Sequence, residues 1–365
     1  MSPTTARGRT REHFDVGGFF TERELDGTCL VEQSPVQEAR EPEVDFLQRR
    51  AKKYVDAASN DFAQFPIDRA LAGWNGKLKI VFRGQVDHRW GMNSSLARAV
   101  SSNRFHLADE QRLYDAEKRI IDAAKNRRGT SASPSSWLGL NMSDGELLAV
   151  LQHHEAPTRF IDVTEDPRVA LYFAAEKEDR TDGRLFVIAL KDEENRTTTD
   201  GSNPEGPWLA LSNPNDPDDR SLPWPKPSLR GRSQGSWTNS VYLADAGSLD
   251  PRMKAQRGLF LVGGRIRAYP DLNMSSENLG EYLDGDTLPY VTSFAVDFRK
   301  STNRQERINR STRAYAWTLR IPSELKPGIR VLLAKEGISH DSLFPDYREF
   351  KRLADSLARE RAPKA

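Results

Sequence analysis

The order in which its apolar periods occur constrains this chain more than any single motif. Helical spacing dominates the first half, and short strand-like runs dominate the second. Val44, Phe46, Leu47, Ala51, Tyr54, Val55 and Ala58 recur at the spacing of one helix face. Arg49, Arg50, Lys52 and Lys53 are expected on its wet side. Leu113, Ala116, Ile120, Ile121 and Ala124 mark a second helix over about 109–124, with Glu117 read as part of its solvated face. Ser143 and Glu146 stand three apart before LLAVL, a capping box that opens a third helix, and Pro157 ends it. A fourth begins at Asp166-Pro167, where the missing proline N–H had no partner to lose, and buries Val169, Ala170, Phe173 and Ala174.

The first strand is KLKIVFR, Lys77 to Arg83, after a turn-forming Asn75-Gly76 and stopping at Gly84. Arg159 to Val163 is extended, and RLFVIAL follows over 184–190. Strands resume at Gly258–Val262 and at about 288–298. Tyr315, Trp317, Leu319 and Ile321 alternate as a half-buried strand, and Ile329–Leu333 follows it. Phe344, Tyr347, Phe350, Leu353 and Leu357 predict a closing amphipathic helix. This order predicts an α+β fold with mostly antiparallel sheets and a helical N-terminal half, not a βαβ array.

Three stretches flank or interrupt that core. Residues 1–43 read as an irregular arm and 44–76 as a helical lead-in. Residues 191–250 form a long polar insertion in which Trp208, Trp224 and Trp237 predict that parts pack down or cover a ligand. Fifty-four basic against fifty-three acidic residues leave a net charge of +1, which gives no global pull toward nucleic acid or membrane. The single cysteine, Cys29, excludes an internal disulfide and cysteine-rich zinc sites. No apolar run of membrane or secretory-signal length occurs, so a cytoplasmic protein is expected.

Polar chemistry concentrates in three places. Arg83 stands at the end of a buried strand, where its planar fork suits phosphate or carboxylate and Gly84 lets a ligand approach the backbone. The same arginine could instead tie down a turn. The run LQHHEAPTRFIDVTEDPRVALYFA, 151–174, carries Gln152, His153, His154, Arg159, Asp162, Thr164 and Asp166 between two apolar helices. Thr164 or Asp166 would cap the following helix, whose dipole favours an anion. Arg159 with Asp162 could equally be a structural ion pair. Adjacent histidines diverge on a helix, so no metal site is expected. Gln256 stands at the mouth of the strand that begins at Gly258. No dinucleotide-binding, phosphate-loop or serine-hydrolase motif occurs.

Together these stretches resemble the FRG domain family, named for its Phe/Tyr-Arg-Gly motif. Phe82-Arg83-Gly84-Gln85 matches the opening motif. Leu151–His154, Pro157–Arg159, Asp162–Thr164 and Ala170–Ala174 match the central signature. Gln256 with Gly258 and Phe260, then Gly337-Ile338 and Leu343–Asp346, match the later segments, so the resemblance spans about 77 to 355. The spacing is also similar to that of the ADP-ribosyltransferase superfamily, which implies that core and NAD as substrate. By that resemblance Arg83, Thr164 and Gln256 would be catalytic, with Gly258 in the place of the usual glutamate. Arg83, Gly84, His153, Arg159, Asp162 and Thr164 would hold the NAD. Glutamine cannot supply negative charge, so Asp162 or Glu117 would have to face the developing cation. The resemblance further implies a nucleic-acid or protein acceptor, a toxin or phage-defence role, and an antitoxin-like partner. Two other readings stay open. One is a nucleotide- or nucleic-acid-binding module without turnover, using Arg104, Arg127, Arg128, Arg230 and Arg232 on phosphates. The other is a structural interaction domain whose signature serves packing.

Overall fold

A computed structural model describes residues 19–20, 41–60, 62, 77–101, 110–126, 142–192, 207–212, 222–224, 226, 237, 241–245, 251–263, 297–298 and 314–345. The strands are β1 (Phe19–Phe20), β2 (Lys77–Gln85), β3 (Ile161–Thr164), β4 (Gly183–Asp192), β5 (Val241–Ala244), β6 (Gly258–Gly263), β7 (Asp297–Phe298) and β8 (Ala314–Ile321). The helices are α1 (Glu43–Asn60), α2 (Ser95–Ser101), α3 (Glu110–Asn126), α4 (Asp144–His153), α5 (Pro167–Ala175), α6 (Pro251–Ala255), α7 (Lys326–Lys335) and α8 (His340–Leu343).

All eight strands join one sheet in the order β1-β8-β4-β2-β3-β6-β5, with β7 also on β8. Five pairings are antiparallel, four of them long, and among the named strands only the two-residue β1 and β7 pair parallel. The α+β class with mostly antiparallel pairing is therefore what the chain adopts. The centre of the sheet holds its weakest seam. β2 pairs with β4 along nine residues, but meets β3 in register only at Phe82–Thr164. Beyond that point the two halves of the sheet part.

Alternation within each strand sends side chains to two faces. Leu185, Val187 and Ala189 of β4 meet Tyr315, Trp317 and Leu319 of β8 under α1, α5 and α7. Phe186, Ile188 and Leu190 look the other way, into a cluster shared with Leu259 and Leu261 of β6. Phe260 and Val262, on the far side of β6, pack under α3, α4 and the tryptophans 224 and 237. Helix α5 lies directly on the sheet backbone. A Cβ at Gly84 would stand 1.9 Å from the Ala170 carbonyl oxygen, and one at Gly183 would stand 2.3 Å from that of Ala174. The C-terminus of α5 is covered by cations, as its dipole favours. Arg330 donates to the Ala175 carbonyl at 2.6 Å, and fully buried Lys326 donates to the carbonyls of Val86, Lys177 and Glu178.

The capping box at Ser143 is present as its sequence predicts, with Ser143 and Glu146 bonded reciprocally. Several expectations are corrected. Helix α4 ends at His153, four residues before Pro157. β2 runs past Gly84 to Gln85. β8 is buried on both faces rather than half-buried, because small Ala314, Ala316 and Thr318 fit under the opposite layer. Ile329–Leu333 is helical, part of α7, where Ile329 and Leu333 share one face four residues apart. The polar stretch 191–250 contributes β5, and its Trp224 and Trp237 are core residues. Lys53 points inward. Most of residues 1–43, the turn at 75–76, the segment 288–296, the closing helix beyond 345, and Arg104, Arg127, Arg128, Arg230 and Arg232 lie outside the described residues. Among the described residues no helix is long and apolar enough to cross a membrane.

Candidate functional site

Where β2 and β3 part, the sheet opens into a cavity of about 420 Å³. Arg83 and Phe82 line it from β2, and Asp162, Val163 and Thr164 line it from β3. Gln152 and His153 reach it from the end of α4, Phe173 from α5, Arg252 and Met253 from α6, Gln256 from the link between α6 and β6, Phe260 from β6, and Phe344 from the turn after α8.

Arg83 spans the split. Its Nη1 donates to the Asp162 carbonyl at 2.6 Å, on the strand edge that β2 has left. Its Nε is buried and has no hydrogen-bond partner among the described residues. Burial lowers the guanidinium below its ordinary value, the Asp162 charge opposes that, and Arg98 adds to it. The group still stays charged throughout the working range, because an arginine starts so high. A buried charge with an unsatisfied donor costs free energy in isolation, and an anion in the cavity would offset the cost of burying the charge.

Asp162 faces solvent within the cavity, while both of its sequence neighbours are buried. Its carboxylate is held by a short relay. Thr158 Oγ1 donates to Gln152 Oε1 at 2.6 Å, and Gln152 Nε2 donates to Asp162 Oδ2 at 3.1 Å. The relay uses both ends of the Gln152 amide and holds one oxygen of Asp162, a residue that lines the cavity. A cation and an anion thus stand side by side on one wall.

The remaining candidates are used differently. Thr164 lines the cavity, but its hydroxyl donates to the Gln256 carbonyl at 2.7 Å and accepts from the Asp166 amide at 3.0 Å. It stitches β3 to the loop that enters β6. Gln256 also lines the cavity, and its amide donates to the Leu343 carbonyl at 3.0 Å. Asp166, not Thr164, caps α5, accepting from the Arg168 amide. Burial opposes its ionisation, yet hydrogen bonds from Arg168 hold its carboxyl below the usual range. His153 lines the cavity with its ring edge-on to His154. Among the described residues no three histidine, cysteine, aspartate or glutamate side chains gather as metal ligands. Gly84 lines the cavity too, but its missing side chain makes room for α5 rather than for a ligand.

Arg159 does not join them. It is 2% exposed, and it pairs with neither Asp162 nor the cavity. Its Nε and Nη2 grip both oxygens of Glu117 at 2.5 and 2.6 Å, and its Nη1 meets Glu110 at 2.6 Å. Trp224 donates to Glu117 and Trp237 to Glu110, at 3.0 and 3.1 Å. The Arg159 guanidinium lies 4.4 Å from the Trp224 ring centre. Glu117, expected on a solvated face, is fully buried, and burial lifts its carboxyl above the ordinary range while Arg159 opposes the shift. Glu110, Leu113, Glu117 and Ile121 follow the 3–4 spacing of one helix stripe, the signal that could have placed Glu117 inside.

Arg252 and Phe344 were not expected as site residues, although Arg252 stands in the segment before Gln256 and Phe344 in the closing segment, and Phe173, expected on the buried face of α5, is only partly buried and lines the cavity. Their signal was there in those motifs; what was missing was the α8 turn that folds Phe344 back over the cavity.

Comparison with curated proteins gives no match, and comparison with solved structures gives none either. The ADP-ribosyltransferase-like core expected from the motif spacing therefore has no structural neighbour behind it. The FRG domain family model matches residues 78–183. That range holds Arg83, the Gln152–Asp162 relay and Thr164, whereas Gln256 and Phe344 come from beyond it. The chain carries an FRG domain at residues 78–183, and that domain supplies the charged wall of the cavity.

Proposed function

We propose that the cavity binds NAD and that the chain is an ADP-ribosyltransferase-like enzyme with a nucleic-acid or protein acceptor. The observation that carries this reading is that Arg83, anchored on the Asp162 backbone carbonyl, and the Asp162 side chain line the same 420 Å³ cavity. That volume lies within the roughly 300–1,000 Å³ typical of ligand sites. Arg83 would engage the pyrophosphate through the part of its guanidinium that lines the cavity, and Asp162 would face the positive charge that grows on the ribose. In the transfer the nicotinamide nitrogen leaves with the bonding electron pair, the acceptor's nucleophile bonds to the same ribose carbon, and its proton passes to solvent. Preorganised charge of this kind contributes about 3–4 kcal/mol per group in acyl-transfer sites. His153 adds a polar group to the lining. Thr164 would act by fixing the β3–β6 junction. A toxin or phage-defence role, with an antitoxin-like partner, would follow from such an activity, but the described side chains carry no sign of it.

A second reading has its own support. Thr164 and Gln256, the other two residues that the resemblance makes catalytic, have their side-chain hydrogen bonds turned to the fold. This favours a nucleotide-binding module without turnover.

Nicotinamide release from NAD separates the two. It is to be followed with and without cellular RNA, DNA and protein extract. Release that needs an acceptor and disappears in Arg83→Ala, with an unchanged circular-dichroism melt, is the expected result. Release without acceptor would make the chain an NAD hydrolase. A folded protein that binds NAD and releases nothing would favour the binding module.

A further inference from the structure

Gln256 links two walls of the cavity that lie far apart in sequence. Its Nε2 donates to the carbonyl of Leu343, 87 residues away and the last residue of α8. The next residue, Phe344, lines the cavity. Other side chains converge on that ring. Phe173 meets it edge-on at 6.2 Å, the Arg252 guanidinium lies 4.7 Å from its centre, and His340 stacks on it at 4.6 Å. Phe82, Phe173, Phe260 and Phe344 all line the same cavity, away from any carboxylate but Asp162 and Glu155.

We propose that Gln256 is a positioning residue that latches the α8 turn and fixes Phe344 as an aromatic wall for the planar ring of the ligand. The proposal rests on the nucleotide reading above for its ligand, but not for the latch itself. The Leu343 carbonyl needs a donor from position 256. Glutamine supplies one; an ionised glutamate supplies none and would set a negative charge against the carbonyl dipole. The side chain is therefore matched to the latch rather than being a weakened substitute for a catalytic glutamate. Aromatic rings accept a planar ligand by offset or edge contacts, and an ordered ring loses less freedom on binding than a mobile one.

Substitution to glutamate separates the two roles, because they predict opposite signs. On the full chain at pH 8, hydrogen exchange of the backbone amides at 341–344 is compared between wild type and Gln256→Glu. Exchange about tenfold faster at the turn, with α4 unchanged, is expected from losing one hydrogen bond near the upper end of its net worth. NAD titration by calorimetry should show Kd raised by a similar factor in Gln256→Glu and in Phe344→Leu, and preserved in Phe344→Tyr, which keeps the ring. Unchanged exchange in Gln256→Glu, or faster nicotinamide release than wild type, overturns the positioning role. Equal affinity in wild type and Phe344→Leu overturns the ring wall. A wild type that binds no NAD defeats the nucleotide reading and the ring wall with it, and the exchange comparison then decides the latch alone.

Discussion

Arg83 and Arg159 approach the same seam of the sheet, one from β2 and one from the residue pair before β3, yet their guanidinium groups meet different surroundings. Around Arg159 every edge is filled: two carboxylates, an indole face and a second indole further out. Around Arg83 one edge meets a single carbonyl and Nε is left without a partner in a lined cavity. The first pattern makes a clamp between α3, the approach to β3 and the tryptophans of the 191–250 stretch. The second makes a socket. Both arginines belong to the motifs that carry the family resemblance, so motif membership alone does not separate support from chemistry. What separates them is whether the fold already satisfies the fork.

The largest test of that contrast is on stability. Arg159→Leu leaves Glu110 and Glu117 buried without their cation, and breaking one side of a buried pair costs roughly 3–5 kcal/mol. Arg83→Ala is expected to change stability by less than about 1 kcal/mol, the scale of a substitution that removes one hydrogen bond. Urea denaturation of both variants measures the difference, and equal costs would erase the distinction. A smaller effect comes from Trp224→Phe, which keeps an aromatic ring but removes the indole donor to Glu117. It should cost about 1–2 kcal/mol by denaturation and leave NAD affinity unaltered.

The smallest effect is on acid stability. Asp166 is held below the ordinary carboxylate range: burial works against its charge, but Arg168 outweighs it. A carboxyl lowered on folding supports the fold above its unfolded value, about pH 4, and that support is lost as pH falls through the folded value. Glu117 runs the other way. Burial lifts it, so falling pH relieves a cost there instead of removing a support. Asp166→Asn should therefore lower the urea midpoint at pH 7 by the equivalent of about 1 kcal/mol or less and flatten its decline toward pH 3.

Much of this arrangement was legible in the sequence, and the remainder was not for identifiable reasons. The α4 cap was readable because its signal is local: a serine and a glutamate three residues apart. The start of α5 was readable from Asp166-Pro167 in the same way. The concentration of Arg83, Asp162, Thr164 and Gln256 around one cavity followed from motif spacing by resemblance. Hydrogen-bond commitments were not legible, because they join residues such as Thr164 and Gln256, or Gln256 and Leu343, across long stretches of chain. The helical character of 329–333 was obscured because a short segment with four apolar residues around Arg330 fits a strand as well as a helix turn. Arg159 was misplaced among ligand-binding residues because its partners Glu110 and Glu117 sit on a helix whose charged stripe looked solvated.

The seat of α5 carries a lesson about inheritance. Gly84 follows the arginine of the opening motif, yet its bare Cα is demanded by Ala170 and Ala174, which lie some ninety residues downstream in the central signature. The two motifs are thus one joint written in two places. Grafting the arginine and glycine into another protein would transfer the charge but not its bearing, unless a helix backbone seated against the glycine travelled with them. In any lineage of this chain the glycine should persist for as long as the backbone of α5 keeps this seat, whatever side chains α5 carries.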